Sequence, residues 1–211
     1  MLVLSINDIK GIIAQIFKEV KAQKDYLIEL DSAMGDGDLG LTMVKGFNAA
    51  LEELNSYTDD DIGKALYKSG MVMANSAAAT MGTIIATGLM SSGKASLHKD
   101  KINLSDIIDM GWAAVEGIKK RGKADVGDKT VLDAIVPGIK ALEESNNNSK
   151  SLKNAFEKAS VAAEDGFKST RDMISKFGRA RYYGENSKGK LDPGAAVGSI
   201  IFKAIYDYLN D

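Results

Sequence analysis

The sequence predicts an all-α fold, an antiparallel bundle or barrel of about eight helices. Apolar residues recur at helical spacing in segment after segment along the 211-residue chain. Only two prolines occur, Pro137 and Pro193, and few segments alternate apolar and polar residues over strand lengths. Helices of similar length joined by short links pack side by side in opposite directions. We therefore expect a single domain that spans residues 1–211.

The helices are predicted from this spacing and from their caps. They cover residues 8–28, 39–54, 62–74, 80–90, 104–120, 130–144, 152–176 and 195–209. Ser5 or Asn7 is placed to cap the first helix, and Asn103 or Ser105 to cap the fifth. Residues 59–61 are three aspartates that precede the third helix. One of them caps it, and the others favour the positive end of its dipole.

Several residues are expected to end, bend or connect the later helices. The fourth helix is apolar nearly all round, so it should be buried, and residues 91–94 (Ser-Ser-Gly-Lys) end it. Pro137 lies inside the sixth helix and is expected to kink it. The polar run 145–149 is predicted to be a surface turn. A second irregular loop, 178–194, separates the long seventh helix from the last one.

The composition excludes several classes of function. The net charge is −2 at pH 7 and both signs are spread along the chain, which argues against a nucleic-acid groove or a basic membrane patch. No apolar run is long enough for a membrane span, and residues 1–5 lack the features of a signal peptide. The absence of cysteine excludes disulfides, thiolate zinc sites and a cysteine nucleophile. We expect a cytoplasmic protein without a nucleic-acid or membrane partner.

An acidic, glycine-rich loop lies between the first two predicted helices. It contains Asp31, Asp36 and Asp38, with Gly35 and Gly37 between them. Carboxylates held this close repel one another, and a bound cation would offset this repulsion. Hard oxygen ligands suit Mg²⁺ or Ca²⁺ rather than zinc. The loop is therefore predicted to bind a divalent metal.

An EF-hand and simple helix capping also place aspartates and glycines in one loop. An EF-hand is excluded, because the twelfth position counted from Asp36 is Phe47, where a bidentate glutamate is required. Helix capping combined with turn chemistry uses Asp and Gly freely and would account for two of the three aspartates, so it stays open. Residues 39–42 then begin a helix. Since helix N-termini bind phosphate, metal and phosphate would share one place.

Three further interruptions of the helices carry unusual residues. Residues 75–82 are small, and they either pack helices closely or let a ligand approach the backbone. Residues 127–130 (Gly-Asp-Lys-Thr) have no adjacent Gly-Lys pair and no preceding strand, so a P-loop is not predicted. Residues 178–184 set two arginines among glycines, which suits anion binding or a solvated basic loop.

The single histidine, His98, is predicted at the surface, which argues against a Ser-His-Asp triad.

With these motifs together, the chain resembles the L subunit of bacterial dihydroxyacetone kinases, the nucleotide-binding subunit. The likeness spans essentially the whole chain and keeps the order of the motifs. The matching motifs are Asp-x4-Asp-x-Asp at 31–38, Arg-Gly-Lys-Ala-x-x-Gly-Asp-Lys-Thr at 121–130, Gly-Arg-Ala-x-Tyr-x-Gly-Glu at 178–185 and Asp-Pro-Gly-Ala at 192–195. The departures from the family pattern remove no metal ligand, and they lie at Leu39, Thr42, 78–82 and 185–190.

This resemblance implies an eight-helix barrel with ADP or ATP at one end, held through two Mg²⁺ ions by Asp31, Asp36 and Asp38. It implies that Arg179 is catalytic and offsets charge as the γ-phosphoryl group moves. The implied nucleotide contacts are Leu39, Gly40, Leu41, Thr42, Thr80, Met81, Gly122, Val131, Arg179, Asp192, Pro193 and Gly194.

The resemblance also implies partners. A separate K subunit would carry a short ketose bound covalently to its own histidine, and this chain would supply the phosphoryl group. In many bacteria an M subunit of the phosphotransferase system recharges the bound ADP, and we also expect a homodimer. Two other functions stay open: a nucleotide-state sensor that docks on a transcription factor in a sugar phosphotransfer system, and a purely structural helical bundle.

Overall fold

The computed structural model describes residues 3–146 and 151–210. Within these residues it contains nine α-helices: α1 (Ile6–Ala22), α2 (Lys24–Ser32), α3 (Leu39–Ser56), α4 (Ile62–Ser76), α5 (Thr80–Ala95), α6 (Leu104–Gly122), α7 (Leu132–Asn146), α8 (Leu152–Ser169) and α9 (Pro193–Asn210). Two short strands, β1 (Val3–Ser5) and β2 (Lys101–Asn103), and two 3₁₀ segments, Thr170–Asp172 and Arg179–Ser187, complete the described secondary structure.

Eight of the described helices close into a ring. Helix α1 packs on α3, each helix from α3 to α8 packs on the one that follows it, and α9 packs back on α1. Helix α2 is additional to the ring and packs against α3 and α9. Because the links are short, neighbouring helices run in opposite directions. The predicted antiparallel eight-helix barrel is confirmed.

Apolar side chains at helical spacing hold the ring together. Helix α1 shows the pattern, because one of its faces is buried along its whole length, at Ile6, Ile9, Ile12, Ile13, Ile16 and Val20. Each fully buried aliphatic side chain of this kind contributes about 1.5–3 kcal/mol relative to an exposed one. The apolar core thus fixes which face of α1 points inward.

The predicted helix at 8–28 is two helices in the structure. The backbone leaves the helical region at Gln23, with φ −98° and ψ 14°, and α2 starts at the next residue. Val20 and Leu27, on the two sides of the break, are both fully buried, so the bend brings both into the core. No glycine or proline marks this break. The predicted helix at 152–176 is shorter in the structure, since α8 ends at Ser169.

Helix α5 continues past the stop predicted at 91–94 and ends at Ala95. A Cβ placed on Gly93 would lie 2.6 Å from the backbone nitrogen of Tyr67 and 2.7 Å from the carbonyl oxygen of Gly63. Gly93 therefore lets α5 approach α4 closely. The predicted stop was wrong because a glycine after an apolar run usually marks a helix C-terminus, and the sequence does not show this contact.

The helix caps follow the prediction. Asn103 forms a capping box with Asp106 at the start of α6, and Asp61 accepts the backbone N–H of Lys64 at 2.9 Å to cap α4.

The antiparallel pair β1–β2 was not predicted, because three-residue strands are too short to show a period of two.

Three further predictions concern membrane spans, His98 and the polar run 145–149. None of the helices in the described part of the chain combines the length and apolar character needed to cross a membrane. His98 is exposed, as predicted. Of the surface turn predicted at 145–149, residues 147–149 lie outside the described residues. Residues 145 and 146 belong to α7 and Ser145 is buried, so the prediction is wrong for this part.

Candidate functional site

One end of the barrel opens into a cavity of about 840 Å³. Because ring neighbours alternate in direction, helices α3, α5, α7 and α9 all begin at this end, and residues of their first turns line the cavity. The first N–H groups of a helix lack intrahelical partners and carry partial positive charge. Four such helix starts around one cavity favour an anion, phosphate in particular.

The acidic loop forms one side of this cavity. Asp31 lies near the end of α2, and Asp36 and Asp38 lie on the link to α3. One carboxylate oxygen from each of the three lies within 4.8 Å of the other two. The structure therefore brings together the three predicted metal ligands.

Two glycines make this convergence possible. Gly37 has φ +72°, a left-handed conformation that side chains other than Gly rarely adopt. Gly35 follows a tight turn in which its N–H donates to the carbonyl of Asp31 at 2.6 Å. A Cβ on Gly35 would lie 2.3 Å from Oδ1 of Asp31, so the glycine leaves room for the carboxylate of Asp31.

The electrostatics of the cluster fit a cation. Burial raises the pKa of Asp31, the backbone N–H of Leu39 opposes this, and the charges of Asp36 and Asp38 raise the pKa further. The Leu39 N–H lies 3.3 Å from Asp31 Oδ2. The donor set consists of carboxylate oxygens, which are hard ligands suited to Mg²⁺. A divalent cation among them would relieve their mutual repulsion.

Arg179 also lies in the cavity wall, beside the acidic loop. Its Nη2 lies 2.6 Å from Oδ2 of Asp36, and both side chains are partly exposed. Arg179 begins the second 3₁₀ segment and follows Gly178, whose φ is +63°. The guanidinium thus lies beside the carboxylates, where it can pair with an anion.

Asp192 lies at the start of α9, in the cavity wall. Its Oδ1 accepts the backbone N–H of Ala195 at 2.6 Å, so it caps the helix. Burial raises the pKa of Asp192 to about 7, although the Ala195 N–H and the nearby Lys129 act in the opposite direction. Desolvation is the main cause of this raised pKa, because burial disfavours the charged form of a carboxyl.

Comparison with known proteins identifies the family. The DAK2 domain matches residues 33–207 of this chain. The chain belongs to the DAK2 domain family. The predicted likeness to the nucleotide-binding subunit of dihydroxyacetone kinases is confirmed at this level.

Curated relatives of this DAK2 chain include two subunits of similar length. The ADP-binding subunit DhaL of the PEP-dependent dihydroxyacetone kinase of Escherichia coli (strain K12) is 36% identical over 180 residues, which are 85% of each chain. The ADP-binding subunit DhaL of PEP-dependent dihydroxyacetone kinase 2 of Listeria innocua is 33% identical over 193 residues, 90% of this chain and 88% of the relative.

A solved structure shares the fold of this DAK2 chain. The dihydroxyacetone kinase from C. freundii in complex with AMP-PNP and Mg²⁺ matches with a TM-score of 0.69 at 21% sequence identity. The match covers 94% of this chain and 33% of the kinase, so the chain spans about a third of that protein's length.

Most of the predicted site residues lie in the cavity wall of the DAK2 barrel. These are Asp31, Asp36, Asp38, Leu39, Thr80, Met81, Gly122, Val131, Arg179, Asp192, Pro193 and Gly194. The structure thus gathers residues from four separate loops into one site. Gly194 illustrates the contact between loops, since a Cβ there would lie 3.1 Å from Met81 Cε and 3.3 Å from the Val131 nitrogen.

Three predicted residues in the first turn of α3 lie outside this wall. Gly40 packs against α2, where a Cβ would lie 2.2 Å from the carbonyl oxygen of Lys24. Leu41 is 57% exposed and Thr42 is buried. The contact of Gly40, Leu41 and Thr42 with nucleotide stays a prediction.

Two buried charged residues of the DAK2 site were missed by the sequence reasoning. Lys129 is 2% exposed and lies in the cavity wall. Asp133 accepts the backbone N–H groups of Gly127 and Thr130, both at 2.6 Å, and so shapes the loop before α7. The Thr130-x-x-Asp133 spacing of a capping box was a signal for Asp133. For Lys129 the sequence offered only its place in the Gly-Asp-Lys-Thr run 127–130. Its burial had no signal, because lysine side chains are rarely buried.

An apolar part of the cavity wall was also missed. It comprises Ile84, Ile118, Ala124, Leu132 and Phe177. Ligand cavities combine such apolar surface with a few polar groups that fix orientation. One cavity therefore offers carboxylates, helix starts and an arginine together with apolar surface for a flat ring.

Proposed function

We propose that this chain is the nucleotide-binding subunit of a dihydroxyacetone-type kinase. It would bind ADP and ATP with Mg²⁺ and transfer the γ-phosphoryl group to a short ketose held on a separate K subunit. The convergence of Asp31, Asp36 and Asp38 at the barrel end where four helices begin carries this proposal. Membership of the DAK2 family and the names of the relatives support it.

The residues at the acidic loop fit magnesium. Asp31, Asp36 and Asp38 would hold it, and the family resemblance favours two ions. When bound, Mg²⁺ supplies positive charge that offsets the negative charge of the phosphate oxygens.

The chain's own residues would position the nucleotide. The N–H groups at the start of α3 and α9 would donate to phosphate oxygens, and the apolar wall would hold the base. Arg179 would leave Asp36 and pair with the phosphoryl group, where it offsets the charge that develops during transfer. Phosphoryl transfer depends mainly on such positioning and charge stabilisation rather than on covalent chemistry.

The relatives also bear on the partners. The E. coli and L. innocua proteins are named as ADP-binding subunits of PEP-dependent kinases, and such a subunit works with a separate substrate-binding chain. In this proposal a phosphotransferase-system M subunit would be the source of the phosphoryl group, with ADP remaining bound here between cycles. The M subunit and the homodimer stay predictions.

Calorimetry of Mg-ADP binding tests the nucleotide site. Asp36→Asn should abolish Mg-dependent ADP binding and leave helicity unchanged by circular dichroism, because the amide keeps the shape of the side chain but not its charge. Asp60→Asn is the matched control, since Asp60 is an exposed aspartate before α4 at the other end of the barrel. Wild-type ADP affinity in the Asp36 variant would contradict the metal assignment.

Turnover tests the kinase assignment. The chain is mixed with candidate K subunits, Mg-ATP and dihydroxyacetone or erythrulose, and ketose phosphate is measured. We expect phosphorylation that requires both chains and is lost with Asp36→Asn. Nucleotide binding without turnover for every K subunit would instead favour the nucleotide-state sensor.

A further inference from the structure

We propose that Lys129 is a positioning residue for the nucleotide site, because its ammonium group holds the segment 173–190 against the α6–α7 loop (residues 123–131). This segment carries Arg179. The inference rests on the proposed function, and it assigns a role to a residue that does not itself contact the acidic loop.

The ammonium group of Lys129 contacts three backbone carbonyls. Its Nζ donates to the carbonyl oxygens of Ser187 and Lys190, each at 2.6 Å, and of Met173 at 3.2 Å. A lysine ammonium has three N–H donors, so all three have an acceptor. Met173 precedes the 3₁₀ segment Arg179–Ser187, Ser187 ends it and Lys190 follows it. A single side chain therefore ties together the two ends of the loop that carries Arg179.

The Lys129 side chain is also buried. It is 2% exposed, and a buried ammonium is costly unless it is fully hydrogen-bonded. Burial lowers the pKa of Lys129, while the carboxylates of Asp192 and Asp172 act to raise it. The three carbonyl acceptors thus satisfy an ammonium group that has little access to water.

The backbone at Lys129 is held in an unfavourable conformation. Its φ is +61°, a left-handed value that is unfavourable for lysine and persists only where the surroundings enforce it. Asp133 provides this enforcement, because its carboxylate accepts the N–H groups of Gly127 and Thr130 on both sides of Lys129. The loop is thereby shaped so that the lysine side chain enters the junction with the segment 173–190.

A second contact between the same two segments supplies a matched control. Lys176 Nζ lies 2.7 Å from Oδ1 of Asp128, and the lysine side chain is 63% exposed. Exposed ion pairs contribute little, whereas loss of the Lys129 ammonium would leave buried carbonyls without donors. The two lysines therefore differ in burial but join the same parts of the chain.

The dissociation rate of a fluorescent ADP analogue in the presence of Mg²⁺ tests the proposal. Lys129→Ala should accelerate dissociation about tenfold or more, the size expected for lost hydrogen bonds to a charged group. Lys176→Ala should change the rate less than about twofold. An unchanged rate in Lys129→Ala would overturn the proposal.

Chemical rescue separates positioning from general damage to the fold. Alanine removes three methylenes and the ammonium, which together correspond to propylammonium. Added propylammonium should slow ADP dissociation from Lys129→Ala, whereas tetramethylammonium, which has no N–H donor, should not. Lys129→Met keeps the bulk of the stem and should release ADP as fast as Lys129→Ala without responding to propylammonium. Acceleration that no amine reverses would indicate a packing role alone and overturn the proposal.

Hydrogen exchange of the nucleotide-free protein provides a readout that does not depend on ADP binding. Amides of 179–189 should exchange faster in both Lys129→Ala and Lys129→Met, and those of 31–38 should exchange as in wild type. Unchanged exchange at 179–189 would overturn the role of Lys129. A wild-type protein that shows no binding of Mg-ADP would instead overturn the proposed function, so the two failures are distinguishable.

Discussion

Arg179 and Asp36 form an ion pair in the wall of the cavity, with Nη2 and Oδ2 2.6 Å apart. Asp36 is also a member of the acidic cluster, and its oxygen cannot serve the guanidinium and a metal ion equally well. The pair therefore links the acidic loop to the segment that carries Arg179. Arrival of Mg²⁺ with a nucleotide would move Asp36 to the metal and free Arg179 for phosphate.

This relationship predicts opposite effects of Arg179→Ala on two ligands. Without nucleotide, Mn²⁺ used as a probe should bind about two- to fivefold more tightly, because a competing exposed cation is removed. Mg-ADP should bind about 10- to 100-fold more weakly, because a charged partner of the phosphates is lost. Electron paramagnetic resonance of free Mn²⁺ and calorimetry with ADP measure the two affinities.

Arg171→Ala is the control for that experiment, since Arg171 is exposed and does not line the cavity. It should leave both affinities as in wild type. If Arg179→Ala weakened Mn²⁺ and ADP alike, the guanidinium would not compete for Asp36, and its pairing with that carboxylate would have no role in loading the site.

The helices and the metal loop could be predicted because their signals are local. Apolar residues at helical spacing mark each ring helix, and Asp31, Asp36 and Asp38 lie close together in the sequence itself. The break at Gln23 has no such signal, because burial of side chains on both sides, and not a glycine or proline, determines it. Lys129 could not be predicted either, since its three acceptors come from residues 44 to 61 positions away.

The raised pKa of Asp192 predicts that the free energy of unfolding falls as the pH rises. Its pKa is about 7 in the folded chain against a reference of 3.8, so between these values the folded state holds a proton that the unfolded state has released. The contribution is complete below pH 3.8 and is lost as the pH rises through about 7. Asp192→Asn cannot ionise, so raising the pH from 5 to 8 should cost the wild type about 2–3 kcal/mol more than this variant.

Chemical denaturation at pH 5 and pH 8 measures this difference. Asn retains an oxygen that can accept the N–H of Ala195, so the cap of α9 is preserved. Asp60→Asn, which changes an exposed aspartate, should follow the wild type at both pH values. Parallel pH profiles for wild type and Asp192→Asn would show that Asp192 titrates at its ordinary value.

The close approach of Gly35 to Asp31 predicts that a substitution at Gly35 weakens the proposed metal site without replacing any ligand. A Cβ at this position would lie 2.3 Å from Oδ1 of Asp31, so Gly35→Ala must displace that carboxylate. Mn²⁺ affinity should fall about tenfold or more as one of three ligands moves. Ala33→Ser adds an atom at a neighbouring exposed position and should leave Mn²⁺ binding intact. Equal affinity in Gly35→Ala and wild type would mean that Asp31 is not a ligand.

The tight packing at Gly93 predicts that added volume there destabilises the barrel. A Cβ there would lie 2.6 Å from the backbone nitrogen of Tyr67, and backbone, unlike the end of a flexible side chain, cannot move aside without shifting α4 from α5. Gly93→Ala should therefore lower the free energy of unfolding by about 1–3 kcal/mol through overpacking, although alanine is the better helix former. Asn55→Ala, at an exposed position near the end of α3, isolates the propensity effect and should be neutral or stabilising. A Gly93→Ala protein as stable as Asn55→Ala in urea denaturation would show that the ring tolerates a wider separation of α4 and α5.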